Sequence, residues 1–323
     1  MLVIGGAGYI GSHICKALHQ KKHDILVFDD LSRGNKKLLR WGDFVQGSIL
    51  CKDTLSSVMK EFNPDGIIHL AAYAYVGEST KNPLLYYNNN VVGSLRVLES
   101  MVESSVKNII FSSSCATYGI PETLPIVESS KQNPVNPYGQ TKLVIEGAIR
   151  DFAAAYGLEF IILRYFNAAG ADPDGECGEL HMPETHLIPL VINAAIDSSK
   201  EVKIFGNKYP TPDGTCIRDY VHVTDLADAH VAALEMLLAN KIKNDFFNLG
   251  SEIGTSNLDV IKKVEKISGK KAAMQIVSAR DGDPAVLIAD IRKAKEHLHF
   301  NPKYSDIETI IKHAYAWQKE NYC

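Results

Sequence analysis

Short apolar runs recur through the first half of the chain, at 2–4, 24–28, 43–46, 66–70, 108–112 and 159–163. Each is short enough to be a strand and is bounded by Gly, Asp or Asn. Between them lie longer stretches in which apolar positions return every three or four residues. These predict helices to about residue 20, at 54–62, at 86–104 (opened by Asn88-Asn89-Asn90) and at 143–156. Strands alternating with helical crossovers predict an α/β fold, a doubly wound parallel sheet. In such a sheet ligands sit at the carboxyl ends of the strands.

From Arg164 onward the texture changes. Residues 171–183 are rich in Gly, Pro, Asp and Glu and read as a long loop; His186-Leu187-Ile188-Pro189 leads into a helix. A short strand at 202–205, a loop at 206–214, helices at 224–239, 258–268 and 305–320, and a strand at 246–249 complete the pattern. The expectation is a domain over 1–166 and a smaller C-terminal α/β domain over 167–323, with a strand near 246–250 returning to the first sheet. No internal repeat or flexible linker separates them.

Composition narrows the class. With 323 residues, 46% hydrophobic, the chain can bury a large core. A net charge of −4 and no Lys/Arg block argue against nucleic-acid binding, and no apolar stretch has membrane-spanning length. Met1 runs straight into a strand, which leaves no room for a signal peptide. The six cysteines, at 15, 51, 115, 177, 216 and 323, form no Cys-x-x-Cys pair. They read as reduced thiols of a cytoplasmic protein, with no metal site expected.

The first candidate chemistry is Gly5-Gly6-Ala7-Gly8-Tyr9-Ile10-Gly11, between a strand and a helix. Gly5, Gly8 and Gly11 allow a tight turn, close backbone approach to a phosphate, and tight helix–strand packing, with the helix N-terminus facing a pyrophosphate. The next strand ends in Asp29-Asp30, where a carboxylate meets adenosine ribose hydroxyls. Two carboxylates repel a 2′-phosphate, so NAD is favoured; Arg33 nearby keeps NADP open.

The second is Pro137-Tyr138-Gly139-Gln140-Thr141-Lys142. On a helix, Tyr138 and Lys142 share a face. An ammonium beside a phenol lowers the phenol's pKa from about 10, making it a usable base towards an alcohol. Ser112-Ser113-Ser114, at the end of an apolar strand, can offer a hydroxyl to the same oxygen. The spacing alone is weak evidence: with 14 Tyr, about one Tyr-x-x-x-Lys arises by chance, and a second, Tyr315 to Lys319, fits an exposed C-terminal helix.

With these stand Val76-Gly77-Glu78-Ser79, Asn88-Asn89-Asn90-Val91, Arg164-Tyr165-Phe166-Asn167, Asp213-Gly214-Thr215 and Arg218-Asp219-Tyr220-Val221-His222-Val223. In this order, over nearly the whole chain, the sequence resembles the extended short-chain dehydrogenase/reductases, and within them the UDP-glucose 4-epimerases. The resemblance implies a Rossmann domain carrying NAD, a C-terminal UDP-sugar domain and a homodimer, with the helices at 86–104 and 143–156 as dimer faces. It implies Tyr138, Lys142 and Ser114 as catalytic residues, Lys142 lowering the Tyr138 pKa and bonding the nicotinamide ribose. It implies cofactor contacts from Gly5, Gly8, Tyr9, Ile10, Gly11, Asp29, Asp30, Ser48, Ile49, Leu70, Ala71, Ala72, Asn89, Ser112 and Tyr165. For the UDP-sugar it implies Asn167, His186, Leu187, Phe205, the phosphate-binding Arg218 and Arg280, Asp283 at the uridine ribose, and Leu287.

Several positions depart from familiar bacterial members. Ser48 stands where many carry Asp against the adenine. Ala74 replaces a Lys near the cofactor ribose and diphosphate. Leu287, bulky where the sugar C2 substituent is gated, leans towards unacetylated hexoses. Cys115-Ala116 stand where 4,6-dehydratases need an Asp-Glu pair, which argues against dehydration. A UDP-pentose or UDP-N-acetylhexosamine 4-epimerase stays open, as does a catalytically silent NAD-sensing module.

Overall fold

The computed structural model describes residues 1–280 and 282–321. The chain runs β1 (Leu2–Ile4), α1 (Tyr9–Gln20), β2 (Leu26–Asp29), β3 (Asp43–Gln46), α2 (Lys52–Phe62) and β4 (Ile67–His69). Then come α3 (Val76–Lys81), α4 (Pro83–Tyr86), a π-helical segment (Tyr87–Val92), α5 (Gly93–Glu103), β5 (Asn108–Ser114), α6 (Pro137–Tyr156) and β6 (Glu159–Tyr165). Six of these strands pair in the parallel order β6-β5-β4-β1-β2-β3, and β10 (Asp245–Leu249, below) adds to β6 as the seventh. The order reverses between β1 and β4, and a crevice opens there at the strands' carboxyl ends. The parallel sheet of the expected α/β class is present.

The strands are near-continuous apolar runs because both faces of the sheet are covered. Ile14, Leu18, Leu226 and Leu234 pack on one face beneath α1 and the helix α8 described below. Leu55, Met59, Val97, Leu98, Ile145 and Ile149 pack on the other, from α2, α5 and α6.

The remaining chain gives β7 (Asn167–Ala169), α7 (Leu187–Ile196), β8 (Val202–Phe205), β9 (Ile217–His222), α8 (Val223–Leu238), β10, β11 (Gly254–Ser256), α9 (Asn257–Ser268), β12 (Met274–Val277), β13 (Val286–Leu287), α10 (Arg292–His297) and α11 (Ile307–Asn321). β9 pairs with β7, β11 and β13; β8 pairs with β12. Helices α7, α9 and α11 bury Ile188, Ile192, Val264 and Ile311 in a core of their own.

Two local readings change. The helix expected at 86–104 is broken into α4, the π segment and α5, and within the π segment Asn90 bonds away from its own helix. Asn90 Oδ1 accepts from Tyr73 N (2.8 Å), and its Nδ2 donates to Tyr73 O (3.0 Å) and Thr141 Oγ1 (3.1 Å). The strand expected at 108–112 runs on to Ser114, held by pairing of Ser113 and Ser114 with Arg164 and Tyr165. The strands β7, β9, β11, β12 and β13 are not expected from the apolar pattern; β9, the longest, interrupts its apolar residues with Arg218, Asp219 and His222. Cys15, Cys51, Cys115, Cys177 and Cys216 are free thiols, and Cys323 lies outside the described residues. No helix among the described residues is long and apolar enough to cross a membrane.

Candidate active site

The carboxyl ends of the central strands and the inner face of the second lobe enclose one cleft of about 1300 Å³. That exceeds the ~300–1,000 Å³ usual for one small ligand.

At the sheet end, the glycine turn is set by contacts on the protein itself. Gly5 has φ +92°, and a Cβ there would lie 2.6 Å from Ala71 N; at Gly11 it would lie 2.3 Å from Gly5 O. Gly8 differs: a Cβ would find only Gly5 O, at 3.4 Å. Gly8 is also the N-cap of α1, with no side-chain cap and no acid in the first turn. A helix N-terminus with open N–H groups and a shallow glycine floor is an anion cradle, and it fits a dinucleotide diphosphate. Tyr9 and Ile10 border it, and Tyr9 is fixed by donating to Gly170 O (2.6 Å).

Asp29 and Asp30 close β2 on the cleft wall. The Asp29 carboxylate accepts from Ala7 N (3.1 Å) and Leu31 N (2.8 Å), and burial raises its pKa against those bonds. Ile49, Leu70, Ala71 and Ala72 supply apolar wall, and Asn89 reaches it from the π segment. Ser48 does not line the cleft: its Oγ accepts from Leu50 N (3.3 Å), tying up the turn before α2. Arg33 is already paired: its Nη2 donates to both carboxylate oxygens of Glu78 (2.8 and 2.7 Å), with the rings of Tyr73 and Tyr75 5.0 and 4.9 Å away.

Ser114 ends β5, and its Oγ accepts from Ala116 N (3.1 Å). Pro137 opens α6, and Asn136 caps it by accepting from Gly139 N (2.8 Å). A Cβ at Gly139 would sit 2.4 Å from Ala116 O, so α6 lies directly on the loop after β5. Tyr138, one residue into α6, thereby faces Ser114, and both line the cleft.

The expected electrostatics of this pair need correction. Burial pushes the Tyr138 phenol up to about 12, and the Ser114 hydroxyl is what opposes it. Lys142 does not, because its Nζ donates to Ser112 O (2.7 Å) and lies over the Phe111 ring at 4.8 Å. Burial lowers the Lys142 pKa to about 7, against the pull of Glu146. Ser112 is also set back from the cleft, its hydroxyl bonded to His230 Nε2 (2.8 Å). Lys142 and Ser112 thus stand behind the wall, while Tyr165 lies on it. A buried pair beneath, Glu146 and Arg164, joins α6 to β6.

On the second lobe, Arg218 (β9) and Leu287 (β13) are register partners facing the cleft. Arg218 Nη2 donates to Asp283 Oδ1 (2.5 Å), and the Arg280 guanidinium lies 3.7 Å from the Phe205 ring centre. Asn167, His186 and Leu187 complete this side. The arrangement can hold two ligands end to end: a dinucleotide on the sheet and an anionic group at the arginines, with two hydroxyls between them.

Residue-type reasoning missed Tyr73 and Tyr75, and it missed a group that includes no cysteine: Glu179, His181, Glu184 and His186, whose ligand-type atoms lie within 4.8 Å of one another. The spacing Glu-x-His-x-x-Glu-x-His was the available signal.

The sequence pattern of the NAD dependent epimerase/dehydratase family matches residues 1–250. The chain belongs to that family. It is 46% identical over 321 residues to a UDP-glucose 4-epimerase of Streptococcus mutans, covering 98% of this chain and 96% of that protein. Among solved structures it is similar to a UDP-glucose 4-epimerase from Brucella ovis in complex with NAD, at TM-score 0.93 and 48% identity, covering 98% and 97% of the two chains. It is also similar to one from Stenotrophomonas maltophila with bound NAD and formylated UDP-arabinopyranose, at TM-score 0.94 and 37% identity, covering 99% and 98%. The fold and family expected from the motifs are those found.

Proposed function

We propose that this chain is a UDP-glucose 4-epimerase, interconverting UDP-glucose and UDP-galactose by transient oxidation at sugar C4. The observation that carries this is one cleft in which Ser114 and Tyr138 sit between a diphosphate cradle at Gly8 and the arginines Arg218 and Arg280. The relatives named for this reaction, at 40–46% identity over nearly full length, support it.

Residues 1–166, with the returning strand β10, hold NAD, and most of 167–323 holds the UDP-sugar. Gly8 and the α1 N-terminus carry the diphosphate, Asp29 the adenosine ribose, and Ile49 and Leu70 the apolar ring surface. NAD rather than NADP fits because Asp29 is a carboxylate and Glu78 already occupies Arg33. When bound, NAD supplies the hydride acceptor and donor and the positive charge of its oxidised nicotinamide.

Tyr138 takes the proton of the sugar 4-hydroxyl and later returns it. Ser114 donates to the reacting oxygen, and the same hydroxyl pulls the Tyr138 pKa down. Burial opposes ionisation of the phenol, and bound NAD would bring positive charge that favours it. Lys142, one turn on, holds the β5 carboxyl end against α6 through Ser112 O and completes the pocket wall from behind. Arg218 and Arg280 clamp the substrate diphosphate with planar donor forks. The clamp lets the 4-keto sugar turn over without leaving. Asp283, held by Arg218, meets the uridine ribose, and Leu287 bounds the sugar at C2.

The chain acts in the cytoplasm, as its free cysteines favour, and as a homodimer. Leu84, Tyr87, Val92, Leu95 and Val144 leave an exposed apolar face on α4, the π segment, α5 and α6, large enough in kind for a helix-to-helix contact. Sedimentation equilibrium tests this; a monomer at micromolar concentration refutes it.

The deciding experiment is Tyr138→Phe with turnover of UDP-galactose as readout. Loss of a positioned general base costs about 10²–10⁴-fold, while NAD content should be retained. Full activity in this variant sinks the mechanism. Parallel turnover of UDP-N-acetylgalactosamine and UDP-arabinopyranose by the parent enzyme reads the role of Leu287: strong preference for either overturns the hexose assignment.

A further inference from the structure

We propose that Glu179, His181, Glu184 and His186 form a binding site for one zinc-class divalent cation, which staples the loop before α7 to the cleft wall. The loop from Gly170 to His186 contains no regular element, and two clusters of charged side chains gather along it. At the first, Lys16 Nζ sits amid Asp172 (2.8 Å), Asp174 (2.9 Å) and Glu176 (2.8 Å). A lysine ammonium already fills that acidic cluster, which leaves no role there for a metal.

The second cluster is different in kind. Glu179 is buried, 4% exposed, and its ion-pair partners among the described residues are the imidazoles of His181 (2.8 Å) and His186 (2.5 Å). Glu184 Oε1 approaches the same His186 Nδ1, at 3.1 Å. No lysine or arginine pairs with either carboxylate among the described residues. Buried carboxylates are paired with charge or bind a metal, and here both partners of Glu179 are imidazoles, side chains that also ligate metals.

The geometry agrees. All four donor atoms lie within 4.8 Å of one another. A tetrahedral zinc with bonds of ~2.1 Å spaces its donors about 3.4 Å apart. To admit the ion the shortest contact, 2.5 Å, opens by about 1 Å, and the widest pairs, within 4.8 Å, close by up to about 1.4 Å. Aromatic packing orients the rings: His181 meets Tyr9 and Tyr75 edge-on at 6.1 and 5.9 Å, Tyr75 meets His186 at 6.3 Å, and the two imidazoles are 5.2 Å apart. Two imidazole nitrogens with two carboxylate oxygens suit zinc, cobalt or nickel better than calcium or magnesium. Four protein ligands leave no open position, so the ion is structural. Its effect is on order: His186 is the N-cap of α7 and Leu187 its first residue, both on the cleft wall.

The test uses the purified, NAD-loaded full chain, stripped with chelator and dialysed against micromolar Zn²⁺ or Co²⁺. We expect one metal equivalent per chain, tetrahedral-type visible absorption for the cobalt form, and a raised melting temperature with each metal. His181→Asn with Glu184→Gln should lose the uptake, while Asp174→Asn should keep it. Should the double variant fail to fold, proton NMR of the parent cobalt protein still counts the ligating imidazoles; two are expected. Absence of stoichiometric uptake, uptake undiminished in a folded double variant, or a cobalt spectrum without two imidazoles overturns the proposal.

Discussion

Replacing either partner of the Glu146–Arg164 pair should cost far more than replacing both. Glu146 is 1% and Arg164 4% exposed. Arg164 donates from Nε to Glu146 Oε1 (3.0 Å) and from Nη2 to Oε2 (2.7 Å), and from Nη1 to Tyr118 OH and Glu128 O (both 3.0 Å). Glu146 also accepts from Ser113 Oγ (2.5 Å) and Gln132 Nε2 (2.9 Å). Two unit charges about 4 Å apart attract by roughly 4 kcal/mol at an effective dielectric of 20. Much of that only offsets the desolvation of both ions, so the pair adds little net, while stranding one ion costs about 3–5 kcal/mol. The two strandings differ. After Arg164→Met the lone carboxyl can take up a proton, whereas after Glu146→Leu the guanidinium cannot shed one. Arg164→Met should therefore cost about 3 kcal/mol, Glu146→Leu about 4–5, and the double variant about 1. Urea unfolding followed by fluorescence and near-ultraviolet circular dichroism, with coincidence of the two as the two-state check, measures these costs. UDP-galactose turnover reports whether Ser114 and Tyr138, on the joined elements, keep their places. Additive costs, with the double variant worse than either single, would refute the reasoning.

Three further outcomes follow from the same structure. Gly8→Ala should remove NAD retention while leaving the melting temperature within a few degrees, whereas Gly11→Ala should destabilise the fold itself, because the Gly8 Cβ meets Gly5 O at an ordinary 3.4 Å and the Gly11 Cβ clashes with it at 2.3 Å; thermal melts beside cofactor content separate the two. His13, His69, His222 and His230 are buried neutral, with burial lowering them to about 4, 3, 3 and 4. Their folded pKa values lie below the unfolded 6.5, so the unfolded chain binds more protons in between: stability should be full above about pH 6.5 and fall steeply towards pH 4, and a urea midpoint independent of pH from 7 to 4 would contradict this. Glu78→Gln removes the carboxylate that neutralises Arg33 and should raise NADP binding relative to NAD, as read by competitive fluorescence; an unchanged ratio would show that Asp29 alone sets the preference.

Local chemistry along the chain was enough to determine the strand–helix alternation, the glycine turn, the Asp pair at the end of β2 and the one-turn spacing of Tyr138 and Lys142. Each follows from short-range rules: periodicity, the absence of Cβ, and residues four apart on one helical face. The cleft gathers most of the residues chosen that way because strand ends and helix starts in a parallel sheet point to one edge. Tertiary packing decided the rest. Lys142 turns to Ser112 O and Ser112 to His230, so neither reaches the cleft wall, and burial raises the Tyr138 phenol against the Ser114 hydroxyl. Arg33 reads as a free cation in the sequence, but Glu78, 45 residues away, pairs with its Nη2. Asn90, in the π segment, bonds Tyr73 and Thr141 across space, which no periodicity encodes. The strands around β9 are two to six residues long and exist only because partners from distant stretches complete their ladders. Desolvation and long-range pairing depend on which segments meet, and that is a property of the folded chain.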